Sequence, residues 1–185
     1  MKGDFFMKKF NVFNAKTITI SGFLIALNIV LSSIIRIPGV INFGGFPIIF
    51  GGIAFGPVIG GIVGAVGDVL SFMVRGGGSG TFMPHFTLTS ALTGIIPGII
   101  VRVLKINFDR PSWWKVFFAI LVGQVTTSVL MVPYFRNILF GHPLIVTMTN
   151  AASKQLFNIP FYSVIITILI RALNKSGFVR NINQS

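Results

Sequence analysis

Residues 41–98 read INFGGFPIIFGGIAFGPVIGGIVGAVGDVLSFMVRGGGSGTFMPHFTLTSALTGIIPG and contain fifteen of the chain's 21 glycines. Small residues at this density allow helix backbones to approach one another closely. The apolar part of the stretch, Phe46 to Val74, is 29 residues long. One crossing of a bilayer takes ~20 residues, so this part is either one over-long span or two short elements hinged at Gly56-Pro57. The choice between them decides the topology.

The composition places the whole chain in a membrane. Of its 185 residues, 53% are hydrophobic and 10% are charged, and the mean hydropathy is +0.87. A soluble core of this size cannot bury so much apolar surface. The apolar runs are too numerous for a single cleavable signal peptide, so we expect the N-terminus to be retained. Without cysteine, the chain has no disulfide, thiolate nucleophile or cysteine metal site.

The basic residues, which give a formal net charge of +12, lie between the apolar runs. They indicate topology rather than a nucleic-acid partner, because basic residues in short loops are retained on the cytoplasmic side. If the long run crosses twice, eleven Lys and Arg are cytoplasmic and only Arg36, Arg75 and Arg136 face out. If it crosses once, six are cytoplasmic and eight are outside. The first arrangement obeys the rule.

We therefore predict an all-α integral membrane protein with six transmembrane helices and both termini cytoplasmic. The spans are expected at 17–35, in two parts of 46–74, at 86–101, at 116–135 and from about 144 to 172, with a loop at 136–143. The domain organisation is then a basic cytoplasmic N-terminus at 1–16, one membrane domain at 17–172 and a cytoplasmic tail at 173–185.

Four basic residues remain at or near the predicted outer face: Arg36, Arg75, Arg136 and Lys154. An arginine at a helix end can simply extend its head group to the interface. Lys154 lies about ten residues into the last apolar run. A lone ammonium there costs ~3 kcal/mol, so we expect it to face a wet cavity or an anionic partner.

Other polar residues fall inside predicted spans. Asp68 could form a structural pair with Lys154 or an amide, or could accept hydrogen bonds from the ring N–H groups of a ligand. Asn150, Lys154 and Asn158 recur every four residues and share one helical stripe, typical of a pocket wall. The candidate binding amides are Asn28, Gln124, Asn150 and Asn158, with Gln155 beside the stripe. Phe43, Phe82 and Phe86 could stack on a planar ligand.

Catalytic and metal motifs are missing from the sequence. There is no Glu, no Gly-x-Ser-x-Gly, no Gly-x-x-x-x-Gly-Lys and no His-x-x-x-His, and His85 and His142 are far apart without clustered carboxylates. We therefore predict no enzyme activity, no metal and no cofactor. An intramembrane enzyme is disfavoured, and any energy for transport must come from a partner.

Three segments together resemble one family. They are GFLIALNIVLSSIIRI in the first helix, then INFGGFPIIFGGIAFGPVIGGIVGAVGDVL, and GTFMPHFTLTSALTGIIPG. The second is similar to a pattern of Phe-Gly, Pro, Phe-Gly-Pro and Gly-x-x-x-Asp, and the third to Phe-x-Pro-x-Phe-Thr-Leu. The chain resembles the substrate-binding S components of energy-coupling factor (ECF) vitamin importers, most of all the folate group.

The resemblance implies a six-helix subunit of the prokaryotic plasma membrane that binds an extracellular vitamin. It also implies partners, namely a transmembrane T subunit and two ATPase subunits. The family approaches its T subunit through small residues four apart on the first helix, and Gly22 and Ala26 fit that pattern. Packing inside the same protein would account for this spacing equally well.

The leading functional interpretation is therefore vitamin capture, with folate or a related compound ahead of pantothenate, pyridoxine or the thiamine pyrimidine. A stand-alone channel or carrier is the alternative from another class. We expect the outer basic residues to bind an anionic vitamin and Asp68 or the amide stripe to read its ring.

Overall fold

The computed structural model describes residues 15–34, 36–37, 41–74, 82–106 and 111–175. This part of the chain forms six helices: α1 (Ala15–Ile34), α2 (Gly45–Ala54), α3 (Pro57–Val74), α4 (Pro84–Val103), α5 (Trp113–Phe140) and α6 (Leu144–Lys175). Two short strands, β1 (Arg36–Ile37) and β2 (Ile41–Asn42), pair antiparallel between α1 and α2. The six-helix membrane architecture predicted from the sequence is confirmed, and the two-residue strands are an addition that it did not include.

The long apolar run is two helices, and the break falls at the predicted hinge. The backbone N–H groups of Phe55 and Gly56 both donate to the carbonyl of Gly51, which ends α2. Gly56 has φ +123°, a conformation that disfavours any residue with a Cβ atom. Pro57 then begins α3. A proline is tolerated at this position because the N–H groups of the first helical turn make no hydrogen bond within the helix.

The second helix is shorter than a membrane crossing. Its ten residues rise ~15 Å, about half the thickness of a hydrocarbon core. Eight of the ten residues, Pro47 to Ala54, are buried. Thus α2 is a half-length helix enclosed by the bundle, whereas α3, α4, α5 and α6 each have the length and hydropathy of a span. The apolar part of α1, Thr17–Ser32, is slightly shorter.

Glycines bring α2, α3 and α4 into backbone contact. A Cβ atom on Gly98 of α4 would lie 2.6 Å from the carbonyl oxygen of Gly52 in α2. Cβ atoms on Gly52 and Gly60 would meet the backbone of Gly94 and Gly52 in the same way. Only residues without a side chain allow this approach. The glycine-rich stretch therefore forms one tightly packed three-helix unit.

The fifth helix differs from the prediction. Residues 136–143 were expected to form a loop, but α5 continues to Phe140, and Gly141, with φ +66°, ends it. Only Gly141, His142 and Pro143 then connect α5 to α6. The extension arises because Arg136 and Asn137 are compatible with a helix, whereas Gly141 and Pro143 are not. Arg136 thus lies on a helix.

The packed core lies at one end of the bundle. Val101, Val116, Ile120 and Ile166 are almost wholly buried there, close to the end of α4 and the start of α5. At the other end the helices separate around a cavity, which is lined by the ends of α1, α2 and α3, by half of α4 and of α5, and by the middle of α6. Elsewhere the helices expose large apolar side chains, such as Phe23, Val58 and Ile168, as expected of a surface in contact with lipid.

Candidate ligand-binding cavity

The cavity has a volume of about 510 Å³. This lies within the ~300–1,000 Å³ typical of small-molecule sites. Its walls are the last turns of α1 and α3, the second half of α5, the first turn of α2, the first half of α4 and the middle of α6. Seven of the twelve predicted binding residues line it: Asn28, Asp68, Phe82, Phe86, Gln124, Arg136 and Asn158.

On the α1 side, the side-chain N–H₂ group of Asn28 is hydrogen-bonded within the protein. Its Nδ2 donates to the backbone carbonyl of Gly44 at 2.6 Å, and the side chain is buried. This bond ties α1 to the turn that begins α2. Asn28 therefore shapes the cavity wall, because its N–H donor holds two elements in place.

Asp68 of α3 accepts a hydrogen bond from a hydroxyl rather than from an amide or a lysine. The Oγ1 of Thr87 on α4 donates to its Oδ2 at 2.8 Å. Asp68 Oδ2 is one of several acceptor sites on an ionised carboxylate. The bond orients the carboxylate at the cavity wall and leaves further acceptor capacity for a ligand.

On α5, Gln124 is oriented by its neighbour one turn along. Ser128 Oγ donates to Gln124 Oε1 at 2.6 Å, and both residues line the cavity. With its acceptor engaged in this way, the buried Gln124 offers its N–H₂ group, which only donates. This position suits an acceptor atom of a ligand.

The polar stripe predicted on α6 divides between two surfaces. Gln155 and Asn158 line the cavity, whereas Asn150 and Lys154 are exposed and do not line it. Gln155 Oε1 and Asn158 Oδ1 are buried and have no hydrogen-bond partner among the described residues. Buried acceptors without a partner are rare in folded proteins. Two such atoms in one cavity wall are acceptors open to hydrogen bonds from water or from a bound molecule.

Aromatic side chains line the cavity on the side of α3 and α4. Phe72 and Phe82 make an edge contact with ring centroids 5.4 Å apart, and Phe86 lies in the first turn of α4. Tyr162 contributes from α6. Phe43 is not among the lining residues and instead packs against Phe161 at 5.5 Å.

The predicted cations have different positions. Arg136 lines the cavity from the last part of α5, while its head group retains access to solvent. The backbone of Arg36 belongs to β1, and its side chain lies outside the described residues, as does the whole of Arg75. The described cavity lining therefore contains one cation, Arg136, and one carboxylate, Asp68.

The residues of this fold match a known family over most of the chain. Residues 16–173 match the family "ECF transporter, substrate-specific component". The chain belongs to this family. The S component is 29% identical over 163 residues to the folate transporter FolT of Clostridium novyi (strain NT), covering 86% of this chain and 88% of the relative. It also superposes on a crystal structure of FolT bound with folic acid, with a TM-score of 0.68, 26% identity and coverage of 84% and 93% of the two chains.

The S component is thus a multi-pass protein of the cell membrane and a subunit that binds the substrate of a transporter. Gly22 and Ala26 lie outside its cavity, on the exposed side of α1. A Cβ atom on Gly22 would have no heavy atom of the described residues within 4 Å. Within the part of the chain that the structure describes, no neighbouring atom therefore accounts for the small residue at Gly22.

The polar lining residues that the sequence analysis missed all carry hydroxyl groups. They are Ser32, Ser71, Thr89, Ser90, Thr93, Ser128 and Tyr162. A hydroxyl in an apolar helix gives little signal, because it can bond to a carbonyl of its own helix, as Thr89 does to His85. The spacing of Phe86, Thr89, Ser90 and Thr93 along one face of α4 is the signal that could have found the α4 group.

Proposed function

We propose that this S component captures folate or a closely related pterin compound from outside the cell for ATP-driven import. The observation that carries the proposal is a cavity that joins unpartnered amide acceptors, a carboxylate, aromatic rings and one arginine. A pterin carrying a glutamate has the complementary groups. The similar proteins are named for folate transport and for folic acid binding, which supports the same substrate class.

Hydrogen-bond acceptors of α6 and α3 would recognise the pterin ring. A pterin presents ring N–H and amino donors along one edge, and Gln155 Oε1, Asn158 Oδ1 and Asp68 are acceptors in the cavity wall. The ring faces would lie against the aromatic side of the cavity, where Phe82 and Phe86 are found. Hydrogen bonds then give specificity and the rings give contact area.

The glutamate would be bound by Arg136. A guanidinium can hold a carboxylate with two parallel charge-assisted hydrogen bonds, stronger than neutral ones. Arg36, Arg75 and Lys154 are further proposed contacts for the anion, and Lys154 would approach it from the exposed side of α6. Phe43 and Asn150 are proposed as outer contacts in the same way.

Orientation follows from the charge distribution and fits the position of the cavity. With both termini cytoplasmic, the ends of α1, α3 and α5 that surround the cavity face outward. Cysteine introduced at Gly141, between α5 and α6, should then react from outside, and cysteine at Lys105, after α4, only after permeabilisation. Reaction of the cysteine at Lys105 in intact cells would contradict this orientation and indicate the reverse one.

Import requires partners with ATPase activity. The family consists of substrate-specific components of ECF transporters, and we propose that a T subunit and two ATPase subunits supply the energy. The exposed small face of α1 at Gly22 and Ala26 is the proposed contact with the T subunit.

Titration calorimetry on the purified protein tests the substrate. We expect folate to bind tightly, a pterin lacking the glutamate to bind at least ~10-fold more weakly because one charge-assisted contact is lost, and pantothenate not to bind. Tighter binding of pantothenate than of folate would assign the subunit to another vitamin. Uptake by cells that contain the subunit without any ATPase partner would instead favour a stand-alone carrier.

A further inference from the structure

One helix has a cavity face that a regular α-helix cannot produce. Five residues of α5 line the cavity at intervals of four: Gln124, Ser128, Val132, Arg136 and Phe140. An α-helix turns ~100° per residue, so a step of four residues overshoots a full turn by ~40°. Over the four steps from Gln124 to Phe140 the overshoot would add up to ~160°. Phe140 would then point away from the face that holds Gln124.

The difference is made by a π-helical segment, Val125–Met131. The backbone N–H of Val132 donates to the carbonyl of Thr127, five residues earlier. A turn of this kind holds roughly 4.4 residues, so each residue advances by only about 82°. Seven such residues rotate about the helix axis by roughly 125° less than seven α-helical residues do. This difference is close to the ~100° that one α-helical residue turns. The segment therefore absorbs about one extra residue and keeps both halves of α5 facing the cavity.

The local sequence explains why the helix widens here. Thr126 Oγ1 donates to the carbonyl of Val122 at 2.8 Å and Thr127 Oγ1 to that of Gly123 at 2.9 Å. Hydroxyls that bond to the preceding turn compete with the backbone and bend helices. Pro133 follows, lacks an N–H donor and would clash with the carbonyl four residues earlier in a regular helix. A wider turn relieves both constraints.

A contact with a neighbouring helix holds the segment in place. Thr93 Oγ1 of α4 donates to Thr127 Oγ1 at 3.1 Å, and both side chains are buried. Thr127 is wholly inaccessible. The wide turn is therefore anchored next to cavity residues of α4 rather than placed on the lipid face.

We propose that the π segment is the positioning element for ligand recognition, because it places Arg136 rather than Phe135 on the cavity face of α5. In a regular helix counted from Gln124, Arg136 would be rotated ~120° away and Phe135 would be within ~20° of that face. Phe135 instead packs against His85 with ring centroids 5.2 Å apart. The identity of the ligand rests on the proposed function, but the geometry of the helix face does not.

Cysteine accessibility tests the register directly, because the parent chain has no cysteine. We expect single variants Val132→Cys and Phe140→Cys to react with a charged methanethiosulfonate reagent and to be protected by folate. Met131→Cys and Phe135→Cys should react slowly and without protection. Reaction and protection at Met131→Cys and Phe135→Cys instead of the first pair would show regular α-helical register and overturn the proposal.

A change of helix length gives a second test. Deleting Leu130, which is exposed, removes the extra residue and should convert the turn to α-helix with Arg136 still facing the cavity. Inserting one alanine after Leu130 should rotate Arg136 by ~100° and weaken folate binding at least ~10-fold, with a smaller effect on a pterin lacking the glutamate. Leu130→Ala is the control of unchanged length and should bind as the parent does.

The deletion and insertion variants distinguish a π turn from a regular helix, because only a π turn makes their effects on folate binding unequal. In a regular helix, deletion and insertion both rotate Arg136 by ~100° and should weaken binding alike, and that result would overturn the proposal. If the deletion variant does not fold, the cysteine pattern decides alone. If the parent fails to bind folate, the proposed function is contradicted, while cysteine reactivity without ligand still tests the register.

Discussion

At the level of single residues, Asp68 and Arg136 bring opposite charges to one cavity from helices on different sides. Asp68 is oriented by the hydroxyl of Thr87, whereas Arg136 is held in position by the backbone of α5. Charged groups at membrane depth are costly unless they face water or a partner. A ligand that carries both N–H donors and a carboxylate satisfies both residues at once.

We expect Arg136→Ala to weaken folate binding at least ~10-fold, because a charge-assisted contact contributes ~1.5–3 kcal/mol. Binding of a pterin lacking the glutamate should change little. Arg171→Ala is the matched control, because this exposed arginine lies near the C-terminal end of α6, next to Pro111 and away from the cavity. Calorimetry on the three proteins makes the comparison. Unchanged folate affinity in Arg136→Ala would show that neutral hydrogen bonds and stacking carry the binding energy.

At the level of elements, the glycine contacts among α2, α3 and α4 define a rigid scaffold on one side of the cavity. A side chain at these positions would have to displace a backbone, not just another side chain. Closely packed interiors respond to added volume with strain. The contacts lie in the second half of α2 and the first half of α3, and the opposite ends of these two helices carry cavity residues.

We expect Gly52→Ala to lower the unfolding temperature in detergent, because its new methyl group would collide with the backbone of Gly94. Overpacking of this kind costs ~1–3 kcal/mol. Gly22→Ala is the control at another helical glycine, where none of the described atoms lies within 4 Å and alanine favours the helix by up to ~1 kcal/mol. Equal unfolding temperatures for the two variants would contradict the close packing of α2 and α4.

At the level of the whole molecule, the cavity and the small face of α1 are separate surfaces. Gly22 is exposed and Ala26 is exposed, and neither lines the cavity. If the small face of α1 contacts the T subunit as proposed, substrate binding and that contact can be altered independently.

We expect Gly22→Leu and Ala26→Leu to block uptake by the assembled transporter and to leave folate binding by the isolated subunit nearly unchanged. Added bulk at a close helix contact prevents the partner's approach. Val164→Leu, at an exposed site on α6, is the control and should support normal uptake. Loss of binding in a folded Gly22→Leu protein would instead place this residue in the internal packing.

Much of the fold could be predicted from the chain, because its determinants are local. Hydropathy and the number of apolar runs identified a membrane protein, and Gly56-Pro57 marked the break between α2 and α3. The end of α5 was predicted too early, because a basic residue near a helix end does not stop a helix, whereas Gly141 does. The three sequence segments were enough to identify the family.

The cavity was predictable only in part, because its membership depends on the rotation of each helix about its axis. By itself, the sequence determined the membrane environment, the six helices and a set of candidate polar residues, since these follow from composition and local turn chemistry. Only the tertiary structure decided that Gln155 and Asn158 line the cavity while Asn150 and Lys154 do not, and that Thr87 is the partner of Asp68. It also decided the face of Arg136, because the π segment between Gln124 and Val132 changes the helical period on which any count along the sequence depends.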